Sequence, residues 1–553
     1  MLTRSCLFLI LLLLSCVTSR SQVNSGPLID IDSGRLEGAR FGSSSNEVMF
    51  LGIPYAAPPT GELRWKPPES AHSWKGVFKA DKFAPTCPQA ADDLRWETEE
   101  VKDYSETLPY YQNFRTDEDC LYLNVWTTSV SGKYKEPVMV WIHGGGGVAG
   151  NSWTPPFGPA LARRGVVLVS VEFRIGVLGN LAHPALSAES PHHVSGNYGT
   201  LDQIAALQWV QRNVASFGGD PGNVTIFGHS DGGNKVCILL ASPLARGLFH
   251  HAILESGQCS DVVSPELTKS VHYDGNDDGG TAEEAGVQLV HDLKIAGGPN
   301  VLAALRHKSA DEIIQGTRNP ALYSNPTVDG WVLLQQPLFT FREGRQTRVP
   351  VIIGSTDDEM GSLYNPQTDP STLIAYKQVL NSPRYASNSE ELFRMYPATN
   401  DSEARVAFMK LGTDDGAHGA YSFARDMAQV MPNTYLFYFT YPSRGKFSGH
   451  GAVHGAELKF LTGIFRKSSG PINDQDKELM NTMQEYWTRF AATGDPNGPD
   501  VPKWPAYNTN RDLCLEIGNV TKAVPVPNKD KYSAIDKSLR GREAELQEKN
   551  EIE

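Results

Sequence analysis

Gly228-His229-Ser230-Asp231-Gly232 sets a serine between two glycines, with one residue on either side. A serine hydroxyl becomes a useful nucleophile when a neighbouring base takes its proton. It must also stand clear of the backbone, and a tight strand-to-helix turn achieves that. Side chains at the outer positions would collide in so tight a turn, so glycine belongs there. Ser230 reads as a nucleophile at the tip of such a turn. The plainer alternative is a Gly-rich helix start with a capping serine.

Attack on an acyl carbon generates a tetrahedral oxyanion, which needs preorganised N–H donors in a dry site. His143-Gly144-Gly145-Gly146-Gly147 lies upstream of the serine and can supply them, because glycine lets the backbone approach closely. Gly145 and Gly146 are the expected donors, with the N–H of Asp231 as the third. The run Gly145 to Gly150 also satisfies the dinucleotide pattern G-x-G-x-x-G, with Glu172 downstream as its acid. That reading requires a helix to start at these glycines. Ser152-Trp-Thr-Pro155-Pro156 intervenes, so nucleotide binding is rejected and no cofactor is expected.

The serine needs a base, and the base an orienting carboxylate. Gly451-Ala-Val-His454-Gly-Ala-Glu457 offers a glycine-flanked histidine on a loop. His450 and His454 are four apart, as in some zinc sites, but Gly451 disfavours the helix such a site uses and no Glu follows His450. No metal is expected. Asp357, Asp358 and Glu359 follow an apolar run, and chemistry alone does not choose among them.

The elements that must position these residues are legible as buried strands and amphipathic helices. Short apolar runs at residues 137–142, 165–171, 224–227, 251–254, 349–353 and 434–440 read as strands. Helical patterns fit residues 200–217, stopped by Gly218-Gly219-Asp220-Pro221, then 230–241 and 474–492. Strands alternating with helices predict an α/β fold, a mostly parallel central sheet with helices on both faces.

Met1 to Ser21 has the form of a signal peptide: Arg4, a short apolar run from Leu7 to Leu14, then small residues. It is too short to span a bilayer, so no stable membrane insertion is expected. The chain is expected to be exported, secreted or periplasmic, with lipoprotein anchoring at Cys16 the less favoured variant. The expected organisation is a leader at 1–21, one catalytic domain at 22–530 and a charged, loosely packed C-terminal tail at 531–553. A formal net charge of −13 argues against nucleic acid as a partner, because the phosphate-neutralising cations are missing. Cys87 and Cys120 lie in irregular, polar stretches. Cys237 lies in an apolar helical stretch and reads as a free core thiol.

Together the motifs resemble those of the type-B carboxylesterase and cholinesterase family. Phe50-Leu-Gly-Ile-Pro-Tyr55, Leu63-Arg-Trp-Lys-Pro-Pro68 and Glu118-Asp-Cys120-Leu-Tyr-Leu-Asn124 look like its N-terminal signatures. Gly196-Asn-Tyr-Gly199 and Phe217-Gly-Gly-Asp-Pro221 match its lead-in to the serine. The resemblance implies the α/β-hydrolase fold, a Cys87–Cys120 disulfide, and the catalytic set Ser230, Glu359 and His454. It also implies that Ser256 stands near that set. A small-molecule carboxylic ester becomes the expected substrate.

Four features depart from the family pattern. His229 and Asp231 replace the usual Glu and Ala beside the serine. Gly147 stands where an aromatic is usual, which predicts a roomier acyl side. Met360 is inserted before Gly361, and Cys259 has no evident partner. Asp231 is expected to turn its carboxylate toward the helix N-terminus. His229 is not expected to replace His454 as base. It favours neutral esters over choline esters, although Trp96 would be able to stack on a cation. The alternative from another class is a catalytically silent binding or adhesion protein, which generally lacks a member of the triad.

Overall fold

The computed structural model describes residues 26–92, 108, 115–130, 135–258, 263–272, 279–465 and 470–551. The leader, Trp96 and Cys259 lie outside the described residues. Strand β7 (Glu136–Ile142) shows how the sequence builds the sheet. Val138, Val140 and Ile142 enter one hydrophobic cluster, while Met139 and Trp141 enter another on the opposite face. A strand buried on both faces therefore reads as continuous apolar sequence.

Around it stand β8 (Val167–Val171), β9 (Gly219–His229), β10 (His251–Glu255), β11 (Val351–Thr356), β12 (Thr434–Phe439) and β13 (Leu513–Ile517). These pair in parallel in the order β8-β7-β9-β10-β11-β12-β13. Antiparallel strands β6 (Tyr122–Thr127), β4 (Val48–Pro54) and β3 (Ala39–Arg40) extend one edge, and β14 (Lys522–Pro525) closes the other. A separate small sheet joins β1 (Leu28–Ile31), β2 (Gly34–Glu37) and β5 (Val77–Lys79). The expected α/β-hydrolase architecture is the one observed, with an antiparallel edge added.

Helices Tyr198–Asn213, Asp231–Ala241 and Asp401–Val430 bury Leu207, Leu239 and Phe423 in the first cluster. Helix Asp474–Thr493 lays Tyr486, Trp487 and Phe490 on the second. Each such side chain contributes about 1.5–3 kcal/mol by leaving water. Helix Lys529–Glu551 is better docked than a loose tail, since Tyr532, Ala534, Ile535 and Leu539 are buried along its first half.

Cys87 and Cys120 are disulfide-bonded, with Cα atoms 5.1 Å apart. Cys237 is not a free thiol. It is disulfide-bonded, and Cys514 is free. Apolar neighbours suit a buried disulfide as well as they suit a thiol, so they did not discriminate.

Candidate active site

Ser230 sits between the end of β9 and the start of helix Asp231–Ala241 with φ 59° and ψ −129°. Such a conformation costs a non-glycine residue about 1–3 kcal/mol and persists only where its surroundings impose it. Here a Cβ at Gly228 would meet the Gly232 carbonyl oxygen at 2.4 Å. One at Gly232 would meet the Ile142 carbonyl oxygen at 2.2 Å. The Ser230 N–H donates to the Glu255 carbonyl at 2.8 Å, tying the turn to β10. The turn is strained, and the capping-serine alternative fails because Ser230 makes no side-chain cap bond.

The glycine loop follows β7 directly. Gly145 and Gly146 take φ of 114° and 63°, values that favour glycine. Among the described residues, none accepts a hydrogen bond from the N–H of Gly145, Gly146 or Asp231. Gly145, Gly146, Ser230 and His454 line one cavity of about 620 Å³. No helix begins at Gly145–Gly150, as a dinucleotide site would require. Glu172 instead accepts from Thr86, from Cys87 N at 3.0 Å and from Ser152 N at 2.9 Å. Gly147 does not line the cavity, contrary to the expected roomier acyl side. A Cβ there would strike the Ser324 carbonyl oxygen at 2.2 Å.

The three adjacent acids separate cleanly. Asp357 Oδ1 accepts from Ala452 N at 2.6 Å. Asp358 Oδ2 meets His450 Nδ1 at 2.8 Å and accepts from Gly451 N at 3.1 Å. Glu359 Oε2 meets His454 Nδ1, while Oε1 accepts from Ser256 Oγ at 2.6 Å and Thr356 N at 2.8 Å. All three therefore clamp the histidine loop, and Glu359 reaches the imidazole. Burial opposes ionisation of Glu359, but the His454 charge and these hydrogen bonds together pull it down to about 2. Burial likewise opposes a charge on His454, and Glu359 outweighs it, so the imidazole is shifted up. Met360, the inserted residue, donates its N–H to Thr413 Oγ1 at 3.2 Å and leaves the Glu359 contacts in place.

Beneath the imidazole lies a group that the sequence left without a role. The His229 ring is 4.3 Å from the His454 ring, and its Nε2 is 3.9 Å from Glu457 Oε1. Burial, then the His454 charge, pushes His229 well down, so it is neutral. Glu457 and Glu255 are wholly buried. Burial raises Glu255 to about 8, and burial plus the Glu255 charge raises Glu457 well above the carboxylate range. Both are thus biased toward the protonated form. The Gly-x-x-His-x-x-Glu spacing contained Glu457, but burial, which gives it its character, is invisible in a motif.

Asp231 does not turn to the helix N-terminus. Its Oδ2 lies 3.3 Å from Lys235 Nζ, one helical turn on, and its carboxylate accepts from Gly147 N–H. An ammonium at i+4 outcompetes the partial charge of a helix end when both groups are buried. The carboxylate is thus held between the Lys235 ammonium and the Gly147 N–H. Among the described residues, the formally charged side chains lining the cavity, apart from histidine, are Arg444, Lys446 and Lys459, none of which the motifs pointed to. Among the described residues no cluster of three or more His, Cys, Asp or Glu could hold a metal, and no helix is long and apolar enough to cross a membrane.

Residues 25–536 match the profile of the Carboxylesterase family. The chain is similar to the fumonisin B1 esterase of Sphingopyxis macrogoltabida, at 33% identity over 86% of this chain and 84% of that protein. It is similar to liver carboxylesterase 1 of Oryctolagus cuniculus, at 31% identity over 96% of each chain. A solved PNB esterase superposes with a TM-score of 0.75 at 29% identity, covering 92% of this chain and 99% of the other. A profile spanning nearly the whole chain, on this fold and around this strained serine, is decisive: the chain belongs to the carboxylesterase family and is a carboxylic-ester hydrolase.

Proposed function

We propose that the protein is an exported serine esterase working through an acyl-enzyme, with Ser230 as nucleophile, His454 as general base and acid, and Glu359 as the orienting acid. The observation that carries this reading is the bond between His454 Nδ1 and Glu359. With the proton on Nδ1, Nε2 of His454 is the free base, and it shares the cavity with Ser230.

In the first half-reaction Nε2 takes the Ser230 proton as Oγ attacks the ester carbon. The N–H groups of Gly145, Gly146 and Asp231 receive the negative oxygen, a contribution of about 3–4 kcal/mol for a single such donor. The imidazolium returns its proton to the departing alkoxide, which leaves as the alcohol. Water then repeats the sequence on the acyl-serine and releases the acid. Glu359, held below its ordinary range, stays ionised throughout and stabilises the imidazolium. Export is supported by the leader pattern and by the Cys87–Cys120 and Cys237 disulfides, which persist in oxidising compartments.

The test is labelling with a fluorophosphonate, with wild type and Ser230→Ala compared and the modified peptide mapped. Labelling at Ser230 that disappears in the variant is expected. A folded wild type that takes no label would favour the silent binding protein.

A further inference from the structure

The wall of the cavity opposite in character to the rest of the molecule is its charged one. The chain carries a formal net charge of −13, yet among the described residues no Asp or Glu lines the Ser230 cavity, while Arg444, Lys446 and Lys459 do. Arg444 and Lys446 lie between β12 and His454, and Lys459 lies just after it, in the short helix Leu458–Thr462. An anion approaching an acidic protein is repelled over most of its surface, so a purely cationic pocket is a local reversal of the field.

We propose that Arg444, Lys446 and Lys459 form an anion subsite of the ester-binding cavity, so that the preferred substrate is an ester bearing a free carboxylate. This rests on the esterase reading above. Neither lysine is committed elsewhere: among the described residues, no carboxylate pairs with Lys446 or Lys459. Their ammonium groups lie 4.8 Å and 5.0 Å from the ring centres of the adjacent Phe447 and Phe460. Arg444 is half-committed, giving one nitrogen to Asp476 Oδ2 at 2.5 Å. Its Nε is buried and, among the described residues, without an acceptor. Asp476 is itself consumed, accepting from Tyr441 and from its own helix cap as well. The cavity lining thus includes two lysines that pair with no carboxylate among the described residues, and an arginine with one uncommitted N–H. Burial and the neighbouring Arg444 hold Lys459 down at about 8, against the opposing pull of Asp476 and Glu457. A planar carboxylate suits both the guanidinium edge and the two ammonium groups. Uncharged esters offer the two ammonium groups no counter-charge.

The experiment measures kcat/KM on two matched pairs. Para-nitrophenyl hemiglutarate against para-nitrophenyl hexanoate places the carboxylate on the acyl side. Para-carboxyphenyl butyrate against phenyl butyrate places it on the alcohol side. In at least one pair the charged ester is expected to exceed its neutral partner about tenfold, the effect of one charge-assisted hydrogen bond. That ratio should fall toward one in Lys446→Met/Lys459→Met and with rising salt. Lys446 is exposed, so Lys446→Met alone serves if the double variant does not fold. Ratios of one or below in both pairs, from an enzyme active on the neutral esters, overturn the subsite. If no ester is turned over, glutarate titration of Ser230→Ala by calorimetry decides separately. Binding lost in the lysine variant sustains the subsite while the catalytic reading fails, and no binding overturns both.

Discussion

The imidazole of His229 lies 4.3 Å from that of His454, with 42° between the rings, yet only His454 meets the Glu359 carboxylate. A base needs an orienting acid as well as a position. His229 instead has a buried Nε2 that makes no hydrogen bond among the described residues.

The two histidines should therefore separate sharply under mutation. His454→Ala is expected to lower kcat by at least about 10³-fold. Adding His229→Ala should lower it little further. Appreciable turnover in the single variant that the second substitution removes would identify His229 as a substitute base. Stopped-flow acylation with para-nitrophenyl acetate measures both.

The pH profile should carry the signature of the Glu359 pairing. His454 is shifted up from 6.5, so the acid limb of kcat/KM is expected above that value. In Glu359→Gln the limb should move down by a unit or more and the plateau fall by about 10²–10⁴-fold. Linkage gives the stability counterpart. Glu359 stabilises the fold above its unfolded pKa of 4.5, and the contribution is lost as pH falls toward about 2. His454 stabilises fully below 6.5 and loses its contribution as pH rises through its raised value. An acid limb unmoved in Glu359→Gln would remove that residue from the orienting role.

Glu255 and Glu457 run the opposite way. Both are raised, so between 4.5 and about 8 the folded chain holds protons that the unfolded chain has released. Stability must fall across that window, by about 1.4 kcal/mol per pH unit for each such group. Glu457→Gln is expected to flatten the decline in Tm between pH 5 and 8. A slope equal to that of wild type would mean that Glu457 is ionised in the fold.

Asp231 and Lys235 form a buried pair, with side chains 8% and 5% exposed. Asp231→Ala leaves the ammonium with only the Ser324 carbonyl, 2.9 Å away, and releases Gly147. A loss near the lower end of about 3–5 kcal/mol is expected in urea, with no rise in kcat. Asp231→Ala/Lys235→Met should recover part of it. A tenfold rise in kcat for Asp231→Ala would show that its charge does oppose the oxyanion.

Which parts of this were legible depends on how local the cause is. The glycines around Ser230 answer to collisions within one turn, so the motif carried them. The parallel strands answer to burial on both faces, so continuous apolar runs carried those. The acid was ambiguous because Asp357, Asp358 and Glu359 differ only in where a turn sends them; the resemblance, rather than chemistry, selected Glu359. Asp231 was misread because the helix end was weighed and Lys235, four residues on, was not. Helix Asp401–Val430 went unread since Gly412, Gly416 and Gly419 interrupt its pattern, and Gly419 has the Gln258 backbone within 2.9 Å of its missing Cβ.

The clamp of Asp357 and Asp358 on residues 450–452 separates two tasks that share one stretch of chain. The imidazole is anchored at its own end of the loop, while Arg444 and Lys446 hang from the free span before the clamp and Lys459 follows it. Selection is therefore free to rewrite the lip, changing which esters enter, without disturbing the His454–Glu359 pairing behind it. New substrate preferences in this lineage are expected to arise there first, by small changes of residue type and length between β12 and the clamp.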